Sequence, residues 1–130
     1  EWIYREREIA LFAVGSMVKT AEAVREMLKS KGHEVSLINA RFVKPIDEEA
    51  VESACGDHGL IVTMEENVSC GGYGEKVLDS MNRRGLRNRF LNISIPDAFV
   101  EHGNVELLKK EIGLDPESIV GRICEALADR

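Results

Sequence analysis

The chain has 130 residues, near the commonest domain length and enough to bury about two thirds of its unfolded surface in one core. Apolar residues make up 44 % and charged residues 31 %, which excludes disordered, collagenous and membrane-spanning compositions. Seventeen basic against 23 acidic side chains leave a net charge of −6, so the basic field that non-specific nucleic-acid binding needs is missing. No nucleic-acid or membrane partner is expected. Cys55, Cys70 and Cys124 are odd in number and widely spaced, with no Cys-x-x-Cys and no secretory leader ahead of them, which points to a reducing cytoplasm. Glu1 stands where an initiator Met would, so the chain is expected to be processed or cut from something longer.

Short β-rich runs alternate with amphipathic stretches, the pattern of a three-layer α/β/α domain built from βα units around a mainly parallel sheet. Trp2 to Tyr4 precedes the first long strand with no crossover helix between them, and reads as an antiparallel edge strand. Ile9 to Val14 is apolar without alternation, as a strand covered on both faces must be. From Met17 to Lys31, Val18, Ala21, Val24 and Leu28 share one helical face and Gly32 supplies the stop. Val35 to Ala40 is the next strand. Asp47 caps a helix to about Cys55, with Ile46 and Val51 placed as a hydrophobic staple. Leu60 to Met64 is a buried strand, expected to be central, and Val77, Leu78 and Met81 mark a helix that Gly85 ends. Phe90 to Ile95 is the last strand. Val105 to Ile112 reads as a short helix, and Asp115-Pro116 opens the final one, with Leu114 and Ile119 as its staple. A five-stranded sheet within a single domain over residues 1–130 follows.

Open parallel sheets meet their ligands and partners at the loops beyond the carboxyl ends of the strands. Gly15-Ser16 lacks the glycine pattern of a phosphate cradle and reads as a turn with a helix cap. Arg41 and Lys44, in a loop held by Pro45, offer charges in fixed positions to an anion or a neighbouring domain. Glu65, Glu66 and Asn67 form the loop after the strand Leu60 to Met64. Adjacent carboxylates on an extended segment point opposite ways, so a hydrogen-bonding or interface role is expected of them before acid–base catalysis. Gly71, Gly72 and Gly74 permit close backbone approach by a ligand or a packed partner. Cys70 has no nearby His to activate it. His33, His58 and His102 read as turn residues without metal-ligand spacing. Arg83, Arg84, Arg87 and Arg89 form a basic cluster, read as a helix C-terminus followed by a solvated connection.

Four motifs occur in order: Arg41-Phe42-Val43-Lys44-Pro45-Ile46-Asp47, Glu65-Glu66-Asn67 with Gly71-Gly72-Tyr73-Gly74, Ile95-Pro96-Asp97-Ala98-Phe99 with Glu101-His102-Gly103, and Gly113-Leu114-Asp115. Together they closely resemble the C-terminal domain of the 1-deoxy-D-xylulose-5-phosphate synthase family. The first two are shared loosely with transketolase and the E1 β subunits of 2-oxo-acid dehydrogenases. The resemblance implies a thiamine-diphosphate- and Mg²⁺-dependent enzyme that joins pyruvate, with loss of carbon dioxide, to glyceraldehyde 3-phosphate, feeding isoprenoid, thiamine and pyridoxal synthesis. It further implies that the cofactor lies between two preceding domains and that this third domain serves dimerisation and assembly, with those domains and a homodimer partner as its neighbours. The chain has no Gly-Asp-Gly followed by Asn-Asn, so no catalytic, cofactor-binding or metal residue is carried onto it. Arg41, Lys44, Glu65, Glu66, Asn67, Gly71, Gly72, Gly74, Asp97 and His102 are carried forward as interface candidates. Where the family more often has Phe-Gly-Ser-Ala, this chain has Tyr73-Gly74-Glu75-Lys76. The competing readings are a free-standing α/β regulatory or binding subunit and the C-terminal domain of another transketolase-like enzyme.

Overall fold

A computed structural model describes residues 2–40, 47–68, 72–95 and 114–128. The elements run β1 (Trp2–Tyr4), β2 (Glu8–Ala13), α1 (Met17–Ser30), β3 (Val35–Asn39), α2 (Glu48–Asp57), β4 (His58–Val68), α3 (Tyr73–Arg83), β5 (Arg89–Ile95) and α4 (Pro116–Ala128). The strands form one sheet in the order β1-β3-β2-β4-β5. Its only antiparallel pairing among the described residues is β1 with β3, and β2–β3, β2–β4 and β4–β5 are parallel. This is the five-stranded, mainly parallel sheet expected from the sequence, with Trp2–Tyr4 as its antiparallel edge. The middle strand is β2, and β4 lies between β2 and β5.

Both faces of the sheet are covered, which is why its strands read as continuous apolar runs. On one face Ile9, Leu11, Val35, Leu37, Leu60, Val62 and Ile93 pack under α1 and α4. On the other, Ala10, Phe12, Ile38 and Ile61 meet Val51 and Ala54 of α2 and Val77 and Met81 of α3. Because α1 leaves β2 on one face and α3 leaves β4 on the other, the carboxyl ends of β2 and β4 flank the crevice where the connections diverge.

Local chemistry sets the ends of the helices. Asp47 Oδ1 accepts from the Ala50 N–H at 3.1 Å, and Asp115 Oδ2 accepts from the Ser118 N–H at 3.1 Å, so both acidic caps are formed. Gly32 and Gly85, at φ +93° and +71°, take the left-handed conformation that terminates α1 and α3. Three expectations are corrected. Ser16 sits in helical conformation and makes no side-chain cap bond; the turn comes from Gly15 at φ +57°. Helix α2 runs on to Asp57, and β4 starts at the next residue. His58 is therefore a strand residue, 3 % exposed, rather than a turn residue: both its ring nitrogens find partners inside the fold. The staple residue Ile46, the Pro96-Asp97 turn and the helix expected over Val105 to Ile112 lie outside the described residues.

Candidate interface at the carboxyl ends of the strands

Glu65 sits near the end of β4 with no exposed surface. A buried carboxylate needs donors, and helix α3 supplies them: the Tyr73 N–H donates to Oε1 at 2.7 Å and the Gly74 N–H to Oε2 at 2.6 Å. The N-cap position itself is Gly72, which has no side chain to offer. Glu65 therefore caps α3 from the neighbouring strand, and its negative charge faces the positive end of the helix dipole. Each carboxylate oxygen thus accepts one backbone N–H, a hydrogen-bonding role.

Gly74, in the first turn of α3, sits where an added side chain would collide with its neighbours. A Cβ there would lie 2.4 Å from Asn92 Oδ1, 2.6 Å from Asn92 Cγ and 2.7 Å from Thr63 Oγ1. Those atoms are not free to swing away: the Thr63 hydroxyl donates to Asn92 Oδ1 at 2.8 Å, and the Asn92 amide donates to Ser94 Oγ at 3.2 Å. The close approach that the glycine motif suggested is thus made, for Gly74, to strands β4 and β5 of the same chain. Tyr73 beside it is 3 % exposed. Burial, then the negative charges of Asp47 and Glu65, push its phenol far above the usual range, so Tyr73 stays neutral.

A second tie joins α2 to α3. The Ser80 hydroxyl and Arg84 Nε both donate to Glu48 Oε1, at 3.0 and 3.1 Å, and Arg84 Nη1 pairs with Glu52 at 3.0 Å. Hydrogen bonds from Arg84 and Ser80, with the nearby Arg83 charge, hold the Glu48 carboxyl below the usual carboxylate range. Arg83 also pairs with Asp79 at 3.0 Å along its own helix. Two of the four clustered arginines are therefore engaged in ion pairs.

The structure brings together Glu65, Gly72 and Gly74 and places Glu66 and Asn67 on the last residues of β4. Arg41, Lys44, Gly71, Asp97 and His102 lie outside the described residues, as does Cys70. Thr63 and Asn92, which make the pocket for Gly74, were missed; both sit on strands that the apolar pattern already located, but no spacing rule couples a strand polar residue to a helix glycine. At the opposite pole, a cavity of about 340 Å³ is lined by Glu8, Gly59, Leu60, Arg89 and Leu127.

Among the described residues no group of three or more His, Cys, Asp or Glu is placed to hold a metal ion, and no helix is long and apolar enough to cross a membrane. The one Gly-Asp of the chain, Gly56-Asp57, ends α2, where Asp57 pairs with Arg5 at 3.0 Å. The described residues around this Gly-Asp therefore do not fit a diphosphate and Mg²⁺ site.

Residues 3–119 match the family described as transketolase, C-terminal domain, and the chain belongs to it. Among curated relatives, it is 53 % identical over 127 residues to a 1-deoxy-D-xylulose-5-phosphate synthase of Lachnoclostridium phytofermentans, covering 95 % of this chain and 20 % of that protein. The synthase of Heliobacterium modesticaldum is 36 % identical over 129 residues, covering 99 % and 20 %. The chain thus spans about one fifth of the length of these relatives. A solved structure described as a split-gene transketolase, inactive β4 tetramer, matches with a TM-score of 0.88 at 23 % identity, over 98 % of this chain and 41 % of that one. A transketolase of Pichia stipitis matches with a TM-score of 0.72 at 19 % identity, over 98 % and 18 %.

Proposed function

We propose that this chain is the C-terminal, third domain of a 1-deoxy-D-xylulose-5-phosphate synthase of the cytoplasm, and that it serves assembly of the homodimer rather than chemistry. The whole enzyme would join pyruvate to glyceraldehyde 3-phosphate using thiamine diphosphate and Mg²⁺ held by the preceding domains. The observation that carries this reading is likeness to one fifth of the synthases over nearly the whole of this chain. The internal geometry supports the division of labour: the buried carboxylate at the carboxyl pole is used as a helix cap, leaving the pole suited to contact. Arg41, Lys44, Glu66, Asn67, Gly71, Asp97 and His102 are proposed to supply the contact loops around the Glu65–Gly74 anchor.

Gly72→Val in the full-length enzyme tests the assignment. Gly72 has φ −85° and ψ −174°, a backbone any residue adopts, but it is buried and valine is a poorer N-cap than glycine, so the substitution is expected to lower the stability of the isolated chain as well. Sedimentation is expected to show a weakened dimer with reduced activity, while the 130-residue chain still melts cooperatively at a lowered midpoint. An intact, fully active dimer would contradict the contact role.

A further inference from the structure

The cavity at the amino pole of the sheet lies beside a break in the regularity of the strands. Glu8 of β2 is in register with His58 of β4, but the next pair is Ile9 with Leu60, so Gly59 is an extra residue bulging from the ladder. Bulges are rare between parallel strands. Across from it Glu8 has φ +74°, the only positive φ outside glycine among the described residues, a backbone that is costly for a residue with a side chain and that gathers at functional sites. Bulge and strained residue border the same space of about 340 Å³, and Leu60, Arg89 and Leu127 complete its lining.

Most of that lining is apolar. Leu60 is buried in β4, and Leu127 comes half-buried from the last turn of α4. Gly59 keeps the space open: a Cβ built on it would meet nothing nearer than the Glu8 carbonyl oxygen, at 4.0 Å. Two charged residues border the cavity, but only one offers it a charge. The Glu8 carboxylate is held on the β3 side of β2, by His33 Nδ1 at 2.8 Å and the Glu34 N–H at 3.1 Å. Arg89, on β5 and in register with Leu60, has no ion pair or hydrogen bond to its guanidinium among the described residues.

We propose that this cavity binds a small monocarboxylate with an apolar body, its carboxylate on the Arg89 guanidinium and its hydrocarbon against Leu60 and Leu127. A planar guanidinium meets a carboxylate with two parallel hydrogen bonds, and an apolar pocket with one such polar group is the usual form of a small-molecule site. The volume equals that of about ten liquid water molecules, which suits a body of about five to eight carbons. Two fields oppose an anion here: the net charge of −6 and the negative end of the α4 dipole, which Leu127 adjoins. A multiply charged ligand such as a diphosphate is therefore disfavoured, and binding of a monocarboxylate depends on the one guanidinium. The cavity stands at the pole opposite the contact loops, so it does not rest on the role proposed for them.

Hexanoate is the probe, titrated into the 130-residue chain and followed by NMR of the backbone amides, with hexan-1-ol as its uncharged counterpart and acetate as the counterpart without a chain. The expected result is a saturable shift of Gly59, Leu60, Arg89 and Leu127 with a Kd of about 1 mM or tighter, and binding of hexan-1-ol and acetate weaker by about tenfold or more. Arg89→Gln should weaken hexanoate by about tenfold or more, the loss expected of a charge-assisted hydrogen bond. Arg87→Gln, an exposed cation outside the lining, should leave hexanoate binding unchanged. Shifts that grow without saturating would overturn the proposal. So would equal affinity for hexan-1-ol, which marks an apolar hollow without anion recognition, or an Arg89→Gln protein that binds hexanoate as the wild type does. If Arg89→Gln does not fold, hexanoate against hexan-1-ol in the wild type decides.

Discussion

At Gly74 two effects of opposite sign compete, and distance decides between them. In an exposed helix, replacing glycine by alanine gains about 0.4–1 kcal/mol by reducing the freedom of the unfolded chain. At position 74 the added methyl would stand 2.4 Å from Asn92 Oδ1, and forcing atoms into a packed site costs about 1–3 kcal/mol. Gly74→Ala is therefore expected to destabilise the chain by about 1–2 kcal/mol in urea unfolding. Asn92→Ala removes the obstructing amide, so the double variant should lose less than the sum of the two single variants. Strict additivity would show that the contact is not the cause. Glu65 belongs to the same unit. Its place beside a second carboxylate on an extended segment led to the hydrogen-bonding expectation but not to the partners, because an α3 N-terminus capped from another element has no local spacing.

At the level of elements, most of what the structure shows was readable. The strands came from short apolar, β-branched-rich runs and α1 from its amphipathic face, and Asp47, Asp115, Gly32 and Gly85 marked helix ends by local chemistry. What escaped depends on contacts distant in sequence. His58 follows α2 and reads as a turn; only the pairing of β4 with β2 and the bond to Ser36 make it a buried strand residue. The tie between α2 and α3 is of the same kind, since Glu48 and Arg84 are far apart in sequence. Arg84→Ala should let the Glu48 carboxyl rise toward its ordinary titration range, as followed by NMR of the side-chain carbon. The sign is fixed by the direction of the shift: a carboxyl lowered in the folded state contributes stability that is present at neutral pH and is lost as pH falls through its folded value. Wild type should therefore lose more stability than Arg84→Ala on acidification over that range, and the difference should shrink with added salt, because Glu48 and Arg84 are both solvent-facing. An unchanged Glu48 titration in the variant would show that Ser80 and Arg83 suffice.

For the whole molecule, the sheet order and its two covered faces make a self-contained core, while the chain spans one fifth of its synthase relatives. We propose that this chain joins the other domains of such an enzyme at the carboxyl pole of its sheet. Sedimentation of the full-length enzyme with and without the segment equivalent to residues 1–130 tests it most directly. The shortened polypeptide is expected to sediment as a monomer without activity, and adding the separate 130-residue chain is expected to restore part of the dimer. A shortened enzyme that remains a fully active dimer would contradict it.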